Sequence, residues 1–119
     1  MLHHLKTGKV ERPFHVGFRA HVPFEQWKLK FFAEKVNVEG GMDPADAGVE
    51  VILKMAFYGF IAGYRKEGRE VDFTVDDIES WIDEDMTLVF DIQRIWGEST
   101  PKEPEQGKTK PQKRGQKKP

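Results

Sequence analysis

Few side chains of this chain have the types and spacing that catalysis requires. Ser80 lies in an acidic helical pattern and Ser99 precedes a basic segment, and neither lies in the strand–turn–helix pattern of a hydrolase nucleophile. The 119 residues include no cysteine, which excludes a thiol nucleophile, a disulfide framework and a Cys-based zinc site. Gly40 and Gly41 precede a helical pattern but lack the lysine and flanking glycine of a phosphate-binding loop. The sequence therefore predicts no catalytic set of residues and no cofactor site.

Two sets of side chains have the chemistry of metal ligands but not the spacing. An acidic set over residues 76–85 could bind calcium, yet it lacks the alternating oxygen ligands, central glycine and final glutamate of an EF-hand loop. His15 and His21 could join an acidic residue at a metal ion, but their separation matches no helical pair. We interpret both sets as solvated polar side chains and helix caps, and predict no metal site. The acidic residues are Asp76, Asp77, Asp83, Glu84 and Asp85.

The stretch Asp43–Gly68 predicts a long central helix around which the other elements are organised. Asp43 is suited to the N-cap, and Pro44 suits the first helical position. Gly68 follows two cations, a combination typical of a helix end. The residues between these ends are mostly apolar, so the helix must be covered on most sides.

Two features of the central helix bear on its surroundings. It is too short and too flanked by charge to span a membrane, so we predict no membrane partner. Gly59 and Gly63, four residues apart, leave a smooth strip where another helix could approach closely. We therefore expect a core helix in a folded domain.

The segment before the central helix contains one strand pattern. Phe14, Val16 and Phe18 alternate with polar residues or glycine, as in a half-buried strand. No partner strand is evident nearby, so the segment is predicted to pair with another copy or to form an extended arm. Residues 1–9 are polar and are predicted to be flexible.

Three further helices are indicated. Residues 23–36 predict the first, and residues 86–96 predict the last, with Gly97 just after its end. Between them, Thr74 is an N-cap candidate and Asp77, three residues on, a shortened capping-box partner.

An aromatic stripe lies on the first predicted helix. Phe24, Trp27 and Phe31 recur at i, i+3 and i+7, and therefore share one face. A stripe with this spacing usually packs into a core. It could instead bind a partner, because 12% of the chain is aromatic. Phe24, Trp27 and Phe31 are thus the candidate partner-binding residues.

The charge of the chain is distributed unevenly. Residues 99–119 contain seven Lys or Arg and two Glu, a net charge of +5; since the whole chain carries −1, the first 98 residues carry −6. The basic segment lacks apolar periodicity and is predicted to be disordered. It could neutralise nucleic-acid phosphates, but no aromatic residue interrupts it for base stacking, which disfavours specific nucleic-acid binding. A recruitment segment or a solubilising extension is the alternative.

These observations predict a mainly α protein with one domain. The domain has about four helices and a short N-terminal extended segment or strand, followed by a disordered basic C-terminal tail. The boundaries are a flexible N-terminus over residues 1–9, a helical domain over residues 10–98 and the tail over residues 99–119.

The sequence resembles the tail assembly chaperones of long-tailed bacteriophages and prophages. RPFHVGFRAHVPFEQW, residues 12–27, is similar to their opening strand, Gly-Phe turn and first helix. DAGVEVILKMAFYGFIAGYRKEG, residues 46–68, is similar to their long helix. FTVDDIESWIDED, residues 73–85, is similar to the Thr/Ser-x-x-Asp-Ile/Val-x-x-Trp-Ile/Leu-Asp segment near the end of their domain.

The resemblance implies a non-enzymatic function in the host cytoplasm. Such a chaperone coats and solubilises the tape-measure protein, helps tail-tube subunits to assemble around it, self-associates and is absent from the mature virion. Two alternatives remain open at the level of sequence. One is a small regulatory protein that uses its basic tail on nucleic acid, and the other is a structural adaptor retained in the virion.

Overall fold

The structure, a computed structural model, describes residues 2–99. These residues form a mainly α domain of four helices and a two-stranded sheet, which confirms the predicted fold class. The predicted disordered tail lies, from residue 100 onward, outside the described residues. The elements are β1 Leu2–Thr7, β2 Val10–His15, α1 Phe18–Phe31, a π-helical turn Phe32–Val36 that continues α1, α2 Pro44–Lys66, α3 Val75–Glu84 and α4 Thr87–Ser99.

The first two elements form an antiparallel hairpin. Leu2 pairs with His15, Thr7 pairs with Val10, and Gly8 makes the turn with a φ of 68° that glycine adopts at little cost. Leu5 is buried against the core. Residues 2–7 are therefore a strand and not the flexible segment expected there. The strand that pairs with β2 is β1, which precedes it in the chain. Its strand pattern is difficult to recognise because the residues next to Leu5 are polar.

Helix α1 begins five residues before the position that the sequence indicated. Gly17 is the N-cap, and its carbonyl oxygen accepts hydrogen bonds from the N–H groups of Ala20 and His21 at 3.0 and 2.9 Å. Pro23 consequently lies inside the helix, where it cannot donate to the carbonyl of Arg19. Burial of Ala20 against the core explains why the helix nevertheless includes this turn.

Helix α2 has the ends that the sequence predicts. The Asp43 carboxylate accepts a hydrogen bond from the Ala45 N–H at 2.8 Å, and Gly68 adopts a φ of 69° beyond the last turn. The small-residue strip on α2 is covered by the hairpin and not by a second helix. A Cβ at Gly59 would collide with the Phe14 ring, and one at Gly63 would collide with the Pro13 carbonyl.

Helices α3 and α4 both pack against α2, and α4 also contacts β1. The predicted capping box is confirmed: the Asp77 N–H donates to the Thr74 hydroxyl at 3.3 Å, and the Thr74 N–H donates to the Asp77 carboxylate at 2.8 Å. Helix α4 continues through Gly97 to Ser99, so Gly97 does not end it. The largest fully buried apolar and aromatic side chains are Tyr64, Phe14, Phe60, Ile78 and Ile92.

Within residues 2–99, no helix combines the length and apolar character needed to cross a membrane.

Candidate partner-binding surface

The predicted aromatic stripe divides into a buried part and an accessible part. Phe24 is 4% exposed, and the centre of its ring lies 4.8 Å from the centre of the Trp96 ring. Phe24 therefore belongs to the core. Trp27 and Phe31 are partly exposed and stack at 4.7 Å with an interplanar angle of 16°. Of the three candidate residues, Trp27 and Phe31 are accessible to a partner and Phe24 is not.

A cation lies over the accessible part of the stripe. The Lys54 ammonium on α2 lies 5.7 Å from the centre of the Trp27 ring and 5.5 Å from that of Phe57. Such an arrangement is a weak cation–π attraction at a partly exposed site. It gives the aromatic stripe a charged border on its α2 side.

The accessible rings continue into an apolar groove on the outer side of α1. Leu29 is 72% exposed, and the Phe32 ring lies 5.6 Å from that of Phe31. The π-helical turn starts at Phe32, whose carbonyl accepts a hydrogen bond from the Asn37 N–H at 2.7 Å. The groove, of about 510 Å³, is lined by Lys28, Leu29, Phe32, Ala33 and Asn37. We call Trp27, Leu29, Phe31, Phe32 and Ala33 the α1 apolar surface.

Leu29 was missed by sequence analysis for a clear reason. It lies between Lys28 and Lys30, so it falls on the charged side of the helix and outside the stripe. The only indication in the sequence that this side of the helix has an apolar residue was a single leucine between two lysines. Its exposure, together with the π-helical turn that follows, extends the apolar surface beyond the predicted face.

The most connected polar cluster of the domain joins the hairpin to α2. The Arg12 guanidinium donates to the Thr7 hydroxyl at 2.9 Å, to the Asp72 carboxylate at 3.1 Å and to the Tyr64 hydroxyl. Tyr64 in turn donates to Asp72 at 2.9 Å. The Arg12 guanidinium also lies over the Trp81 ring, 4.4 Å from its centre. Sequence analysis missed this cluster because its members are far apart in the chain.

The cluster shifts the ionisation of two of its members. Burial raises the pKa of Tyr64 above its usual 10.0, although the hydrogen bond from Arg12 opposes this effect. The hydrogen bond that Tyr64 donates lowers the pKa of Asp72 below its usual 3.8, and the Arg12 charge acts in the same direction. The polar groups of the cluster bind one another, so the arrangement serves to hold elements together.

The two histidines considered as metal ligands have different surroundings. The His21 ring packs edge-on against Trp96 at 4.8 Å, with a buried Nε2 that has no hydrogen-bond partner among residues 2–99. His15 lines a cleft described below. In this part of the chain, no group of three or more His, Cys, Asp or Glu side chains could hold a metal ion.

Two of the acidic residues considered as calcium ligands act at helix starts. Asp77 completes the capping box of α3. Asp85 accepts a hydrogen bond from the Thr87 N–H at 3.1 Å at the start of α4, and hydrogen bonds from Thr87 lower the pKa of Asp85. These contacts agree with the interpretation of the acidic set as helix caps.

A second cleft lies between the first turn of α1 and the last turns of α2. It has a volume of about 480 Å³ and is lined by His15, Phe18, Arg19, Ala62, Arg65 and Lys66. Phe18 is 80% exposed because it stands on the first turn of α1 and not on the strand that the alternating pattern predicted. The sequence assigned Arg65 and Lys66 only to the end of α2, so the cleft was not foreseen.

Comparisons with known proteins assign no family to the chain. No protein-family model, curated protein or solved structure matches it. The two surfaces are therefore interpreted from their own residues.

Proposed function

We propose that this protein is a non-enzymatic tail assembly chaperone, which binds and solubilises a phage tape-measure protein and helps to recruit tail-tube subunits. The observation that carries the proposal is the α1 apolar surface, which includes the stacked Trp27 and Phe31 rings and a Leu29 side chain that is 72% exposed. The similarity of three sequence segments to the chaperone family adds the identity of the partner. The protein acts in the host cytoplasm, self-associates and is absent from the finished virion.

The α1 apolar surface suits the chemistry of this partner. A tape-measure protein is expected to form long helices whose apolar stripes are exposed until the tail tube encloses them. An apolar helix face with an adjacent groove can receive such a stripe, as in helix-in-groove recognition. Full burial of a side chain the size of Leu29 contributes about 1.5–3 kcal/mol, so a few such contacts suffice for binding. Lys28 and Lys54 border the surface and restrict the orientation of the bound helix.

The proposal is tested by co-expression with the tape-measure protein of the same phage. The wild-type chain is expected to raise the soluble yield of that protein and to be recovered with it at low and high salt, because apolar contact is not screened by ions. Leu29→Gln is expected to reduce recovery, since it places a polar group in the apolar contact. Phe90→Gln on α4 is the matched control, because Phe90 is 68% exposed and lies outside this surface.

The possible outcomes separate the function from its mechanism. If the tape-measure protein stays insoluble under every condition, the proposed function is wrong. If capture occurs but disappears at high salt or without residues 100–119, the chaperone function stands and the apolar mechanism is wrong. If Leu29→Gln and Phe90→Gln reduce capture equally, the contact does not lie on α1.

A further inference from the structure

Three cations that form no ion pair within residues 2–99 line the cleft between α1 and α2. Arg19 lies in the first turn of α1, and Arg65 and Lys66 lie in the last turn of α2. Among the residues that the structure describes, none of the three forms a salt bridge, and all three are exposed. Cations at a helix C-terminus are stabilised by the helix dipole, but this does not explain Arg19, which lies at a helix start.

The other arginines of the described domain are neutralised by carboxylates. Arg12 pairs with Asp72, Arg69 pairs with Glu67 and Arg94 pairs with Asp91, at 3.1–3.5 Å. The cleft is therefore a local concentration of uncompensated positive charge in a body, residues 1–98, that carries −6. Positive charges that share one cleft attract an anion more strongly than the same charges scattered over the surface.

The cleft also has an apolar component. Its lining includes Phe18, which is 80% exposed, and Ala62, which is 5% exposed. Exposed aromatic rings and arginines are the side chains that protein–protein interfaces favour. A complementary ligand would place carboxylates against the cations and an apolar side chain against the ring.

We propose that this cleft binds an acidic segment of a partner protein, with carboxylates on Arg19, Arg65 and Lys66 and an apolar side chain against Phe18. The inference does not depend on the chaperone function, because the cleft and the α1 apolar surface have no lining residue in common.

The charge of the surrounding body favours an acidic peptide over nucleic acid. A nucleic-acid strand would continue past the cleft along a domain with a net charge of −6, which repels it. Binding of successive bases also needs several stacking rings, and the described residues that line the cleft supply those of Phe18 and His15. A short peptide places its charges within the cleft, whose volume of about 480 Å³ holds a few side chains.

The test uses full-length protein and a fluorescein-labelled hexapeptide that alternates glutamate and phenylalanine. Its twin carries glutamine in place of every glutamate, and binding is followed by fluorescence anisotropy. We expect the glutamate peptide to bind more tightly than its twin. The double variant Arg65→Gln/Lys66→Gln is expected to weaken its binding by roughly tenfold or more, because two charge-assisted contacts are lost.

Two further variants control the result. Lys30→Gln/Lys35→Gln removes the same charge from exposed positions outside the cleft, so binding is expected to change by less than about threefold. Phe18→Ser is expected to weaken binding while the melting temperature is kept, because its exposed ring packs little against the core. The basic residues beyond residue 99 are present in every variant, so their contribution is the same throughout.

Three results would overturn the inference. The first is equal affinity for the glutamate and glutamine peptides. The second is equal weakening by the two double variants, which would place peptide binding outside the cleft. The third is a single-stranded oligonucleotide that binds more tightly than the glutamate peptide and loses affinity in Arg65→Gln/Lys66→Gln, which would make the cleft a nucleic-acid site.

Discussion

The Tyr64 hydroxyl on α2 donates a hydrogen bond to Asp72 at 2.9 Å and accepts one from Arg12 on β2. One hydroxyl group thus joins the hairpin, the central helix and the segment that leads to α3. The Tyr64 side chain is buried, while that of Asp72 is 62% exposed. The buried Tyr64 side chain is therefore expected to contribute more to the free energy of unfolding than the exposed Asp72 side chain.

Tyr64→Phe is predicted to lower the free energy of unfolding by about 1–2 kcal/mol, because it removes two hydrogen bonds and retains the buried ring. Urea denaturation measures the change. Tyr58→Phe is the matched control and should be nearly neutral, since no hydrogen bond of the Tyr58 hydroxyl is found among residues 2–99. Equal losses in the two variants would show that the hydroxyl of Tyr64 has no special role.

The stability of the wild-type protein should depend on the protonation of Tyr64 in alkaline solution. Burial raises its pKa above 10.0, so the folded state retains the phenolic proton more strongly than the unfolded state. This contribution is complete below pH 10 and is lost as the pH rises through the folded-state pKa. Denaturation between about pH 8 and 11 should show a steeper decline in wild type than in Tyr64→Phe. Parallel declines would contradict this assignment.

Gly59→Ala is predicted to cost more than about 2 kcal/mol, because its methyl group would collide with the buried Phe14 ring. Gly97→Ala makes the same change in a helix where, within residues 2–99, no atom other than the helix's own backbone and the adjacent residues lies within 4 Å of the new Cβ. That variant should gain about 0.5–1 kcal/mol from the lower flexibility of the unfolded chain. Thermal or urea unfolding of the pair distinguishes the steric effect from helix propensity; changes of the same sign would contradict the prediction.

Trp81→Ala is predicted to cost about 3 kcal/mol, near the lower end of the range for large aromatic residues, because Trp81 is only partly buried. Its ring lies 5.5 Å from that of Phe60 and beneath the Arg12 guanidinium. Phe90→Ala should change stability by less than about 0.5 kcal/mol. A Trp81→Ala protein of unchanged stability that no longer binds the tape-measure protein would assign Trp81 to the interaction surface.

Removal of residues 100–119 should leave the melting temperature within about 2 °C of the wild-type value. These residues include no large apolar side chain, so ordering them would cost conformational entropy without burial in return. Ending the chain after Ser99 retains the whole of α4. Differential scanning calorimetry provides the comparison, and a fall of many degrees would show that the basic segment stabilises the domain.

Local sequence rules were sufficient where a few adjacent residues determine the backbone. Asp43 and Gly68 predicted both ends of α2, and Thr74 with Asp77 predicted the start of α3. Each of these signals acts through hydrogen bonds or a φ angle within one turn.

Structural features that depend on contacts between distant residues could not be predicted from local sequence rules. Strand β1 exists because β2 and the core cover Leu5, and α1 extends past Pro23 because Ala20 is buried. The candidate site was predicted only in part. Helical spacing found Trp27 and Phe31 but could not show that Phe24 packs on Trp96. That contact joins residues 72 positions apart, beyond the reach of a periodic pattern.

The close approach of β2 to the glycines of α2 has a consequence for synthesis. Pro13 and Gly63, whose backbones lie so close that a Cβ at Gly63 would collide with the Pro13 carbonyl, are separated by 50 residues. At a translation rate of 5–20 residues per second, about 3–10 s pass between the synthesis of the two residues. During this interval the nascent hairpin has no α2 to cover the Phe14 ring. A ribosome paused before Gly59 should therefore present a β1–β2 segment that proteases cleave readily, and one paused well after α2 should protect it.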